Sequence, residues 1–116
     1  MTLSVGMITV DSADPVPLAQ WWATAIKGTV LADNDGWFVI VGGVDGQPRL
    51  GFQKVYDPTP GKNRMHIDFT STEFPEIVER LVTDGATKLT EHEMGGFAWV
   101  TMADPDGNVF CVSGGE

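Results

Sequence analysis

The chain has 116 residues, enough for one domain at roughly 100–200 residues each and too few for two independent cores. Hydrophobic residues make up 42% and charged residues 20%, which excludes a disordered chain and a coiled coil. A net charge of −9 leaves no basic face for nucleic acid, and no apolar run approaches the roughly 20 residues that span a bilayer.

The start, Met1-Thr2-Leu3-Ser4, lacks the basic and apolar regions of a secretory leader, so a cytoplasmic address without a membrane partner is expected. The lone cysteine, Cys111, excludes an internal disulfide and a multi-cysteine zinc knuckle. The negative charge serves solubility or draws in a cationic small molecule, and the sequence leaves both readings open.

Leu3 to Asp11 reads as a strand with Ile8 and Val10 on one face and Val5, Met7 and Thr9 on the other. A helix follows, with Asp14 as N-cap, Pro15 at its first position and Gly28 in the left-handed position past its end. Its apolar spacing makes Leu18, Trp21, Trp22, Ala25 and Ile26 one buried stripe. Strands come next at Gly28–Leu31, Trp37–Val41 and Arg49–Val55, separated by the turn signals Asn34-Asp35-Gly36 and Asp45-Gly46.

Tyr56-Asp57-Pro58-Thr59-Pro60-Gly61-Lys62-Asn63 reads as an extended connector, after which the order repeats. Met65–Phe69 is a strand. Thr72 or Glu73 caps a helix with Pro75 in its first turn, a stripe of Ile77, Val78, Leu81 and Val82, and Gly85 at its end. Strands at Ala86–Thr90, Phe97–Met102 and Asn108–Val112 complete the second pass, the last two joined by Asp104-Pro105-Asp106-Gly107.

The chain is therefore a βαβββ unit written twice, with residues 1–56 and 64–116 as modules of a single domain and 57–63 as the linker. Placing the halves over each other sets His66-Ile67-Asp68-Phe69 on Met7-Ile8-Thr9-Val10 and Phe110-Cys111 on Phe52-Gln53. A helix covers one face of each unit's sheet, and the bare faces must meet something, for which a ligand cavity is one answer. Period-2 alternation puts Ile8, Val10, Met65, Ile67 and Phe69 under the helices and leaves Met7, Thr9, His66, Asp68, Gln53 and Cys111 on the bare faces.

Four segments in this order carry a resemblance: Asp14-Pro15 with Leu18-Ala19-Gln20-Trp21-Trp22, Leu50-Gly51-Phe52-Gln53-Lys54-Val55, Arg64-Met65-His66-Ile67-Asp68, and Asp104-Pro105-Asp106-Gly107-Asn108-Val109-Phe110-Cys111-Val112. With them the sequence resembles the vicinal oxygen chelate superfamily, the fold of glyoxalases, bleomycin-resistance proteins and extradiol dioxygenases. The resemblance implies an α+β fold: two tandem βαβββ modules forming a curved mixed sheet around a central cavity, with helices outside. It also implies a homodimer. Metal enzymes of the superfamily take ligands from the first and last strand of each unit, where this chain has Met7, Gln53, His66 and Cys111. Methionine offers only a soft thioether and neither expected glutamate is present, so neither metal nor cofactor is expected.

His66 suits ligand contact, a hydrogen bond in the cavity floor or, with Gln53 and Cys111, a poor zinc site. Cys111, between Phe110 and Val112, reads as an inert thiol, and Asp68 either holds a cationic group, orients His66 or is merely solvated. His92 reads as a loop residue. Trp37 and Trp99, in the third strand of each unit, are either core or an aromatic clamp for a planar or cationic ligand. Gly42-Gly43 and Gly95-Gly96 precede no helix, which removes a phosphate-loop reading.

The expectation is a small-molecule-binding protein of the bleomycin-resistance kind, with a ligand site of Met7, Trp37, Gln53, His66, Asp68, Trp99 and Cys111. The alternative is a metal-dependent lyase or isomerase, or a dioxygenase-like enzyme, using His66, Gln53 and Cys111.

Overall fold

The computed structural model describes residues 2–60 and 64–115, so the 61–63 part of the expected connector lies outside the described residues. Its elements are β1 (Ser4–Ser12), α1 (Pro15–Ile26), β2 (Thr29–Ala32), β3 (Phe38–Gly42), β4 (Arg49–Lys54), β5 (Met65–Thr70), α2 (Glu76–Thr83), β6 (Thr87–Met94), β7 (Phe97–Ala103) and β8 (Val109–Ser113). The order is βαβββ twice, an α+β fold. No helix among the described residues is long and apolar enough to cross a membrane. The chain forms two compact units, an N-terminal one of Met7–Met65 and a C-terminal one in which the segment up to Gly6 joins the residues from His66 onward.

In the N-terminal unit the strands run β2-β3-β4-β1. β1 and β4 are parallel, with Ile8 opposite Leu50 and Val10 opposite Phe52, whereas β4 is antiparallel to β3 and β3 to β2. Helix α1 buries Pro15, Ala19 and Ala23, and Val39, Val41 and Phe52 form the core with them, flanked by Val10, Leu18, Ile26 and Leu50. The buried stripe is thus shifted from the expected one: Trp21 is 62% exposed and Ala25 is also exposed. Small Pro and Ala side chains let the helix axis approach the sheet, and the indoles, too large for that gap, turn outward and meet edge to face at 4.8 Å.

The ends of α1 also differ from expectation. Asp14 makes no side-chain cap, and Ser12 Oγ accepts from the Asp14 N–H instead. Lys27, not Gly28, takes the left-handed turn at φ 59°, and the Gly28 N–H donates to the Ala23 carbonyl. Gly28 is required for another reason, since a Cβ there would lie 2.7 Å from the Gly42 carbonyl oxygen.

The C-terminal unit runs β5-β8-β7-β6, with β5 parallel to β8 and the rest antiparallel. Ile77 and Val78 of α2 pack with Val100, Met102 and Val112, and Leu3, Phe69, Leu81 and Phe110 flank them. Helix α2 begins later than expected, at Glu76, with Pro75 at its N-cap position. Ser71, rather than Thr72 or Glu73, caps the preceding turn by accepting from the Glu73 N–H.

Val82 stays 42% exposed, as do Met65 at 54% and Ile67 at 39%, all three expected under helices. An eight-residue helix is only about 12 Å long and does not cover the width of four strands. Asp104 closes the β7–β8 turn by accepting from the Asn108 side chain and from the backbone of Asn108 and Asp106, which holds its carboxyl below the ordinary value.

Phe52→Ala should cost about 3–5 kcal/mol in urea unfolding, by lost transfer energy and the cavity left behind. Trp21→Ala, outside the core, should stay within about 0.5 kcal/mol. Equal losses for the two would contradict the observed face of α1.

Candidate functional site

Alternation along β5 sends Phe69 toward α2 and His66, Asp68 and Thr70 to the face that no helix of this unit covers. The parallel register sets Asp68 opposite Cys111 and Thr70 opposite Ser113, and the antiparallel one sets Thr101 opposite Cys111 and Trp99 opposite Ser113. Partners in register share a face, so these side chains meet without any loop.

At the centre, His66 Nε2 lies 3.3 Å from Asp68 Oδ1, the two side chains being 20% and 22% exposed. His66 also hydrogen-bonds Cys111, whose sulfur lies 3.6 Å from Thr101 Oγ1. The hydrogen bonds to Asp68 and then Cys111 lift the His66 pKa from 6.5 to about 10, against an opposing effect of burial. The imidazole is therefore a cation at neutral pH. His66 Nε2 or Nδ1, a carboxylate oxygen of Asp68 and Cys111 Sγ all lie within 4.8 Å of one another, close enough to surround one cation. Within this unit, Asp68 is the third donor beside His66 and Cys111.

An aromatic ladder continues the same face. The His92 ring stacks on Trp99 at 4.9 Å and 14°, and Phe97 lies 5.7 Å from Trp99. Thr90 Oγ1 fixes His92 through a 2.7 Å contact to Nε2. His92 is not in a loop: it belongs to β6, opposite Trp99. Thr87–Met94 shows no apolar alternation because every residue of it is exposed, and the turn at Gly95-Gly96 was the available sign that the strand reaches so far. Thr101, Phe97 and His92 are the members of this face that the sequence reading did not select.

The N-terminal unit treats its helix-free face differently. Ile8 pairs with Leu50 where Ile67 pairs with Phe110. With Ile8 matched to Ile67, the counterpart of Cys111 is Gly51, not Gln53. The buried cores agree, since Val39, Val41 and Phe52 match Val100, Met102 and Val112. The counterparts of His66, Asp68 and Cys111 are then Met7, Thr9 and Gly51. A Cβ on Gly51 would lie 2.9 Å from the Phe38 ring and 3.0 Å from Met7 Sδ, so an aromatic ring and a thioether cover that spot.

Gln53 is half-buried, opposite Asp11 and Phe38. Trp37 lies in the turn before β3, not in the strand; it is 52% exposed, edge-on to Tyr56 at 6.3 Å, with Lys54 Nζ 4.9 Å from its ring. Clefts of about 410 and 200 Å³ open on the α1 side of this unit, lined by residues such as Leu18, Arg64, Met65, Trp22 and Phe52, and neither touches an expected site residue.

A mixed α+β fold written twice, with its chemistry on the helix-free face, is the vicinal oxygen chelate architecture. The profile of the glyoxalase-like domain matches residues 7–113, and the chain belongs to that family. No curated protein matches it in sequence. Among solved structures it is similar to methylmalonyl-CoA epimerase from Mycobacterium tuberculosis (TM-score 0.71, 12% identity, covering 95% of this chain and 86% of that one). It is also similar to a glyoxalase/bleomycin resistance protein/dioxygenase superfamily member from Vibrio splendidus 12B01 (TM-score 0.66, 14% identity, 97% and 98% covered). A third is a single-substitution variant of the Streptomyces coelicolor methylmalonyl-CoA epimerase, in complex with 2-nitronate-propionyl-CoA (TM-score 0.70, 13% identity, 97% of both chains). At these identities the likeness is one of fold.

Because folded His66 binds its proton more tightly than an unfolded histidine, its contribution to stability is complete below pH 6.5 and is lost as pH rises through about 10. Nuclear magnetic resonance titration of the His66 ring should show this high value, and Asp68→Asn should bring it down toward the ordinary 6.5. An unchanged titration in Asp68→Asn would contradict the pairing.

Proposed function

We propose that this glyoxalase-like protein binds a small, flat, aromatic or cationic molecule on the helix-free face of its C-terminal unit, and that its metal site is degenerate. The observation that carries this reading is the placement of the half-buried His66–Asp68–Cys111 cluster on one face with the Trp99–Phe97–His92 ladder. The ladder offers ring surface and the cluster offers hydrogen-bond donors and acceptors at its side. The net charge of −9 favours a cation. It opposes a multiply anionic ligand such as the coenzyme A thioester bound by the epimerases with this fold.

The degenerate site is argued from donor chemistry. The hydrogen bonds with Asp68 and Cys111 raise the affinity of His66 for a proton, which a metal ion would have to displace. The corresponding positions of the N-terminal unit are Met7, Thr9 and Gly51, beneath the Phe38 ring, a set without imidazole or carboxylate. Trp99, His66, Asp68 and Cys111 are the ligand contacts of this reading, and sequestration of a cationic antibiotic is the activity it fits. A homodimer belongs to the same proposal and is read by sedimentation velocity.

Titration with 9-aminoacridine, a planar cation, should quench indole fluorescence saturably. The quenching should weaken as salt is added and largely disappear in Trp99→Leu. Quenching that never saturates, or that is the same in Trp99→Leu, would contradict the proposed site.

A further inference from the structure

Cys111 differs in its surroundings from the inert thiol its sequence neighbours suggest. Phe110 and Val112 point to the α2 side, while the sulfur faces the imidazole of His66 and the hydroxyl of Thr101. His66 is in turn held by Asp68 at 3.3 Å. A thiol, a histidine that can hold and deliver a proton, and a carboxylate that orients that histidine are the three parts of an activated nucleophile. The cluster also has a substrate-sized neighbour. Trp99 and Thr101 lie two residues apart on β7, and Thr101 is opposite Cys111, so Trp99 is the diagonal neighbour of Cys111 on the same face, at the roughly 7–8 Å backbone spacing of such pairs. An aryl ring lying against Trp99 therefore brings an electrophilic carbon bonded directly to that ring toward the sulfur.

From this juxtaposition we infer that Cys111 adds covalently to aryl-substituted α,β-unsaturated carbonyl compounds, the aryl ring resting on the Trp99 ladder and His66 supplying the proton. This deepens the small-molecule reading given above and rests on it, since the ring must first be bound on that face. In the step, a sulfur electron pair forms the S–C bond at the β-carbon, and the C=C π pair moves through the conjugated carbonyl to give an enolate. The proton of His66 passes to the enolate, and the proton released by the thiol restores His66. The sum is addition of S–H across C=C, with no oxidant, reductant or further reactant.

The test uses the full chain and cinnamaldehyde, followed by intact mass. One adduct per chain with no loss of water is expected, which separates addition to sulfur from imine formation at lysine. The adduct should be absent in Cys111→Ser and form about 100-fold more slowly in His66→Gln, the size of effect a positioned proton donor supplies. Circular dichroism and a thiol count in denaturant establish that His66→Gln is folded and reduced.

Reaction no faster than that of the chain unfolded in guanidinium, or equal rates for wild type and a folded His66→Gln, would overturn the inference. If His66→Gln does not fold, Asp68→Asn replaces it, with the same slowing expected and an unchanged rate overturning the role of the cluster. Quenching of wild-type fluorescence by the saturated 3-phenylpropan-1-ol is measured in parallel. Saturable quenching without any cinnamaldehyde adduct would overturn covalent addition alone, and the absence of both would overturn the binding face as well.

Discussion

The parallel pairing of β5 with β8 determines the chemistry available to this protein. It sets Asp68 opposite Cys111, and because side chains two apart on a strand share a face, it also sets His66 beside both. An imidazole, a carboxylate and a thiol are thereby brought together without a loop to arrange them. The partners of these strands on the other side, Phe69, Phe110 and Val112, belong to the core under α2, so the register of the cluster is locked by burial. A slip of one residue would expose the core and bury the ion pair together.

The same pairing occurs between β1 and β4, and there it gives a different result. Met7, Thr9 and Gly51 take the three places, and the Phe38 ring and Met7 sulfur close over the glycine. Gly51 is the residue that permits this, since any side chain there would displace the ring. The duplication has thus kept its core positions, Val39, Val41 and Phe52 against Val100, Met102 and Val112. On the helix-free face, by contrast, the three places hold a thioether, a hydroxyl and a glycine in one unit and an imidazole, a carboxylate and a thiol in the other.

Much of this was legible in the sequence, for reasons that differ by residue. The order of elements followed from turn chemistry and hydrophobic period, and the shared face of His66 and Asp68 followed from alternation alone. The pairing of Cys111 with Gly51 across the repeat was not legible, because matching Phe110 to Phe52 by residue type is two residues away from the match that strand register and burial make. The outward turn of Trp21 was hidden for a similar reason: hydrophobicity at helical spacing does not say which stripe is small enough to sit against a sheet. His92 escaped because an edge strand exposed along its whole length carries no apolar period, and Trp37 because it stands one residue before its strand, where alternation no longer decides direction. The sequence neighbours of Cys111 are apolar, whereas the groups its sulfur faces are Thr101 and His66, the latter far along the chain and beside it in the sheet.

On the proposed reading, His66 is satisfied at neutral pH by Asp68 and Cys111 and not by a metal ion. The most direct measurement is the metal content of the untagged protein after equilibrium dialysis at pH 7 against zinc, nickel, iron and manganese in turn, read by mass spectrometry of the digested sample. No stoichiometric retention of any of them is expected. One ion per chain, lost in His66→Ala and weakened in Cys111→Ser, would contradict that reading and make the cluster a metal centre.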